Sequence, residues 1–233
     1  MKHNLLRRTV AEFIGTLFLL AAVVGSGIMG ERLAAGNVAL ALLANTIATG
    51  TALIALILAF GPISGAHLNP AVTLADAWTG GTPWRETPVY IAAQLAGGIA
   101  GVTLAHLMFG LSAVSASTHP RNGFAQLLSE FIATFGLLAV ILGCARSRPS
   151  VVPVAVGAYI TAAYWFTAST SFANPAVTIA RSMTNTFAGI QPSDIAGFVA
   201  AQLAGALAAT LLFQWLVPLP KPERTPSSLT HPL

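Results

Sequence analysis

Charge is scarce in this chain of 233 residues: only 8% are Asp, Glu, Lys or Arg, against roughly 25% in an average soluble domain. That deficit excludes an ordinary soluble protein. Cysteine is nearly absent too. Cys144 stands alone, so no intrachain disulfide can form, and it reads as a small packing residue. The few histidines are scattered, and no His/Cys/carboxylate spacing suggests a metal site. A P-loop, a Gly-x-Ser-x-Gly elbow and a His-Glu-x-x-His helix are all missing. An enzyme reading therefore has no residues to stand on, and no cofactor is implied. What the chain has in excess is apolar: 55% hydrophobic residues and a mean hydropathy of +0.75 exclude a disordered chain. The apolar runs are continuous rather than alternating, which favours a helical membrane protein over a barrel.

Placing Asp, Lys or Arg at the centre of a membrane helix costs roughly 2.5 to 3.5 kcal/mol, so charge-free runs mark what lies in the bilayer. Six spans are predicted, at about 11–30, 38–60, 88–110, 123–144, 152–171 and 194–217. Two charge-free runs, Leu33 to Ala75 and Pro149 to Ala180, are too long for one span. Each continues past its span into a segment broken at Asn-Pro, Asn69-Pro70 and Asn174-Pro175, and so reads as a span followed by a re-entrant segment.

The chain also repeats itself. Glu12-Phe13-Ile14 matches Glu130-Phe131-Ile132, and Gln94-Leu95-Ala96-Gly97 matches Gln202-Leu203-Ala204-Gly205. Asn69-Pro70-Ala71-Val72-Thr73 recurs unchanged as Asn174-Pro175-Ala176-Val177-Thr178. Each half thus carries three spans and one re-entrant segment, and an odd number of spans forces the second half to insert upside down. The predicted fold is an all-α membrane protein with six transmembrane helices plus two re-entrant half-helices in an inverted repeat. The membrane domain covers 9–217, with repeat one at 9–110 and repeat two at 123–217. It follows a short N-terminal segment, 1–8, and precedes a proline-rich tail, 218–233, expected to be disordered.

Six spans put both ends on one side, which holds eight Lys and Arg against Arg32, Arg121 and Arg181 on the other. The positive-inside rule then places the termini in the cytoplasm of a cell that carries this multi-pass protein in its inner or plasma membrane. The net charge of +4 is explained by topology and anionic lipid, without nucleic acid. Residues 1–25 read as a first span rather than a cleaved signal, because the apolar run is too long for a signal core and its Glu-Phe-Ile recurs at Glu130.

Asparagine is a favoured helix cap and proline a favoured first residue, so each Asn-Pro predicts a helix start. About eight residues at 1.5 Å each give ~12 Å, roughly half the hydrocarbon core. Two half-helices meeting Asn to Asn would make a seventh pseudo-span with both positive dipole ends at the midplane. Irregular backbone survives at that depth only where it lines a cavity. The carbonyls of Gly65, Ala66 and His67, and those of Thr170, Ser171 and Phe172, are therefore expected to face a pore. Glu12 and Glu130, carboxylates within the membrane, are expected to accept backbone N–H groups of the two loops, and Gln94 and Gln202 to pack as interhelical polar contacts.

These residues resemble the aquaporin/aquaglyceroporin (major intrinsic protein) family: the paired Asn-Pro-Ala motifs, the Ile63 to Thr73 segment, the two Glu and the two Gln-Leu-Ala-Gly runs. The resemblance implies a passive channel for small neutral solutes, a homotetramer with a pore in each subunit, and exclusion of protons and ions. It also implies a selectivity filter. Counted from the family's pattern, that filter falls on Thr49, Ala162, Ser171 and Val177, the last where most members keep an arginine. Four small residues predict a wide, weakly polar filter. Such filters resemble those of bacterial channels found with arsenic-resistance genes, implying glycerol, neutral metalloids such as arsenious acid, and water as cargo. A water-selective channel is the alternative, and an inverted-repeat secondary transporter the rival of another class. Arg181 lies one turn beyond Val177 on the same helical face. It either places a cation in the outer vestibule or, with no special geometry, snorkels to the interface and complements the helix dipole.

Overall fold

The computed structural model describes residues 3–216; the tail expected to be disordered, 218–233, lies outside them. In chain order the helices are α1 (Leu5–Leu33), α2 (Val38–Ser64), α3 (Pro70–Trp78), α4 (Thr87–Met108), α5 (Phe124–Ser147), α6 (Val152–Phe166), α7 (Pro175–Arg181) and α8 (Ile195–Leu216). Among the described residues six helices, all but α3 and α7, are long and apolar enough to cross a membrane, α6 together with the helical turn Pro149–Val151 that leads into it. Six traversals bring the chain back to the side from which α1 starts, the terminal side; the opposite face is the far side.

Three boundaries differ from expectation for a physical reason. The second span runs on to Ser64 with Pro62 inside its last turn, and Gly65, at φ 94°, stops it in the left-handed region. The fifth span ends at Phe166 instead of residue 171, because the segment that follows turns back into the bilayer as irregular backbone. The first span starts earlier than expected, where the Asn4 side chain caps the helix by accepting from Arg7 N–H at 3.0 Å.

Within each half, α1 packs on α2 and α4, and α5 on α6 and α8; α2 against α6 joins the halves. Thr46 Oγ1 donates to Thr161 O across that joint at 2.8 Å. Close approach explains the glycine of each Gln-Leu-Ala-Gly run. A Cβ on Gly97 would collide with the Phe13 carbonyl of α1, and one on Gly205 with the Phe131 carbonyl of α5. The same helix crossings bring Gln94 beside Glu12 and Gln202 beside Glu130.

Candidate functional site

Each half-helix begins as its sequence dictates. The side-chain oxygen of Asn69 accepts from Ala71 N–H at 2.9 Å, and that of Asn174 from Ala176 N–H at 2.9 Å and Val177 N–H at 3.2 Å. Pro70 and Pro175 occupy the first helical turn, where no N–H is needed. The two caps interlock. Asn69 Nδ2 donates to Ala173 O and Asn174 Nδ2 to Leu68 O, both at 2.8 Å. An amide carries two N–H bonds, so one on each asparagine remains beyond that cross-link.

The loops before the caps share one backbone pattern. Positions four, three and one before each Asn have positive φ: Gly65, Ala66 and Leu68 in the first half, Thr170, Ser171 and Ala173 in the second. Non-glycine residues in the left-handed region cost about 1–2 kcal/mol each, so something must hold them there. The two buried carboxylates do this. Glu12 Oε1 accepts from Ser64 Oγ (2.6 Å) and His67 N–H (3.0 Å), and Oε2 from Leu68 N–H (2.7 Å) and Gln94 Nε2 (2.8 Å). Glu130 accepts from Phe172 N–H (2.9 Å), Ala173 N–H (2.9 Å) and Gln202 Nε2 (2.6 Å). The glutamines also donate to Thr73 Oγ1 and Thr178 Oγ1 of the half-helices, at 2.9 and 2.8 Å. They are therefore members of the brace rather than interhelical packing alone.

Thr170 is the strained member of this set, since a β-branched residue is the poorest fit to positive φ; glycine holds the equivalent place in the first loop. Thr170→Gly is expected to stabilise the protein by about 1 kcal/mol, read as a higher unfolding temperature in detergent. A lower temperature would mean that the hydrogen bond Thr170 Oγ1 accepts from Arg121 Nη1 at 3.5 Å outweighs the strain.

Between the halves runs a cavity of about 570 Å³. At the terminal-side end it is bordered by Asp76 and Arg146, at mid-depth by Asn69 and Asn174, and towards the far side by Val177 and Arg181. One wall is apolar, with Leu53, Ile57, Leu137, Ile141, Val156 and Ile160; a line of loop residues, including Gly65, Ala66, His67 and Phe172, borders it as well. Thr170, expected among the pore carbonyls, is not one of the bordering residues. Glu12 and Glu130 are fully buried and also stand away from the cavity.

Of the four expected filter positions, Thr49, Ser171 and Val177 border the cavity, and Ala162 does not. Ala162 is exposed on the outer surface of α6. The cavity face of α6 is set by Ile160 and Tyr164, one turn apart, which puts Ala162 about half a helical turn away from both. The Tyr164 hydroxyl donates to Thr49 Oγ1 at 3.3 Å. An aromatic ring thus joins three small residues where four small residues were expected.

Arg181 does not snorkel. It is only 2% exposed and borders the cavity. Its guanidinium lies over the Phe172 ring, 3.4 Å from the centroid, and its Nε donates to Ala188 O. Sequence reasoning missed Arg121, in the loop from α4 to α5. That loop is stapled over the end of α7 by Ser115 N–H to Met183 O (3.0 Å) and Ser117 N–H to Ser182 O (2.9 Å). Arg121 then donates to Gly189 O (2.8 Å) and Ser169 O (3.0 Å), with its guanidinium 4.9 Å from the Phe172 centroid. Burial lowers its pKa from the ordinary arginine value, and the Glu130 carboxylate acts in the opposite direction. The only sequence signal for it was a charge just ahead of the fourth span.

Residues 1–171 match the family described as major intrinsic protein. The chain is 57% identical over 221 residues to "Aquaglyceroporin AqpS" of Rhizobium meliloti (strain 1021), covering 95% of this chain and 94% of that one. It is 36% identical over 219 residues to "Aquaporin NIP1-4" of Oryza sativa subsp. japonica, covering 91% and 79%. In fold it is similar to the aquaglyceroporin from Plasmodium falciparum, with a TM-score of 0.73 at 21% identity over 92% of this chain and 98% of that one.

Proposed function

The chain belongs to the major intrinsic protein family, whose members are passive channels rather than enzymes, and on that premise we propose that it conducts glycerol-sized neutral solutes, including neutral metalloids such as arsenious acid, together with water. The observation that carries this reading is the small size of residues bordering the cavity: Val177, one position after the second Asn-Pro-Ala, Thr49 and Ser171. A polyol has a carbon face and a hydroxyl face. The apolar wall suits the first, and the loop carbonyls proposed to face the pore suit the second, whereas water needs only the carbonyls. One relative is named an aquaglyceroporin, in keeping with this cargo.

Ion exclusion follows from the midplane. The remaining N–H of Asn69 and of Asn174 would each donate to a passing oxygen, leaving it unable to relay a proton along a hydrogen-bonded chain. The positive ends of α3 and α7 add an electrostatic barrier to cations. The working unit is a homotetramer with a pore in each subunit, in the inner or plasma membrane, with both termini cytoplasmic as the basic residues require. Secondary transport is disfavoured because Glu12 and Glu130 spend their oxygens on the loops and lie off the cavity.

Tyr164 supports a second reading, a narrower and water-selective pore, because its ring stands beside Thr49. Stopped-flow light scattering of proteoliposomes under glycerol, urea, arsenious acid and osmotic gradients separates the two. The wide-filter reading expects glycerol and arsenious acid to pass well above the protein-free background. Water flux alone would leave the water-selective reading.

A further inference from the structure

Two polar groups bordering the far end of the cavity lack a hydrogen-bond partner although both are shielded from bulk water: Arg181 Nη1 and Ser171 Oγ. Neighbouring polar groups on Arg181 and Arg121 are used. Arg181 Nε is held by Ala188 O, and Arg121 is spent on Gly189 O and Ser169 O. Among the described residues neither guanidinium forms a salt bridge. A buried, unpaired cation is expensive unless a partner visits it. Stacking on Phe172 fixes where this one stands, and Val177, one turn earlier on α7, offers the pore nothing polar.

We infer that Arg181 and Ser171 form the outer solute station of this pore, with the guanidinium of Arg181 donating to a solute oxygen and excluding cations, and the Ser171 hydroxyl receiving the neighbouring hydroxyl. This rests on the channel reading above and names the residues that act on its cargo. Arg121 has a different part. It stands off the cavity and holds the strained loop that presents Ser171, so it is a positioning residue.

The test uses full-length protein in proteoliposomes, with sodium and proton leak and the glycerol-to-water permeability ratio as readouts. Arg181→Gln keeps donors but removes the charge, and is expected to raise sodium leak about tenfold or more. Arg181→Lys keeps the charge and is expected to stay tight. Ser171→Ala is expected to lower the glycerol-to-water ratio about fivefold, because glycerol loses a partner that offset its dehydration. If Arg181 merely braced Ala188, the Gln and Lys variants would lose thermal stability alike and leak alike, which would overturn the proposal. One readout needs no variant: residual ion leak through the natural protein should favour anions over cations, and a cation-preferring leak would equally overturn it. Absence of any glycerol flux in the natural protein would instead sink the channel reading itself, whereas good glycerol flux with a tight Arg181→Gln would sink only this station.

Discussion

Replacing Glu12 with alanine is expected to cost the protein its folded first loop and its conduction together. The carboxylate accepts from Ser64 Oγ, His67 N–H, Leu68 N–H and Gln94 Nε2, and three of these residues, Ser64, Leu68 and Gln94, are buried. Each orphaned donor costs about 1–3 kcal/mol, so the sum is several kcal/mol even after relaxation. That is a large part of the ~5–15 kcal/mol that holds a typical domain folded. The loop would also lose the restraint on Ala66 and Leu68, whose positive φ is unfavourable by itself. Asn69 follows directly after Leu68, and Leu68 O receives Asn174 Nδ2, so damage in one half reaches the cap of the other. Thermal unfolding in detergent should show a fall of ~10 °C or more, with water and glycerol flux both lost in vesicles. Glu130→Ala should act the same way but less strongly, since Glu130 accepts from three donors rather than four. A fully conducting Glu12→Ala protein of normal stability would show that the loops hold their shape unaided.

The second large effect is expected from Val177→Arg. Position 177 faces the cavity on the first turn of α7, level with the small residues Thr49 and Ser171 in the predicted filter. A guanidinium there would occupy space that a polyol needs. Glycerol and arsenious acid flux should fall about tenfold, equivalent to ~1.4 kcal/mol of added barrier, and water flux by much less. The introduced charge would also stand one turn from Arg181, so some loss of stability from like-charge proximity is expected. Equal slowing of water, glycerol and arsenious acid would place the constriction elsewhere, and Tyr164 with Thr49 would be the next level to change.

How much of this was legible beforehand depended on the range of the cause. Charge avoidance in hydrocarbon acts residue by residue, so the six spans could be read from the charge-free runs. Asn-Pro is a local helix start, so both half-helices could be placed to within a residue or two. The duplicated Glu and Gln were recognised as structural because an isolated carboxylate in the membrane needs donors. Ala162 failed for a definable reason. Its assignment counted back from Asn174 through residues 167–173, which are not helical, and helical phase does not carry across such a segment. The face of α6 is instead fixed by its own packing, which turns Ile160 and Tyr164 to the cavity. Arg181 could be read either way because one charged residue at the end of a half-helix says nothing of what covers it. Its cover comes from the Phe172 ring and from Ala188 in the loop after α7, and only the folded loops bring these together over it. The strain at Thr170 had no sequence signature, since threonine is a residue one would not choose for that conformation.

Passive conduction through a preformed pore is tested most directly by the initial rate of glycerol entry into proteoliposomes over a wide range of glycerol concentration, with and without an ion or proton gradient. A passive pore gives a rate that rises linearly, carries a low activation energy and ignores the gradient. A rate that saturates and follows the gradient would contradict it.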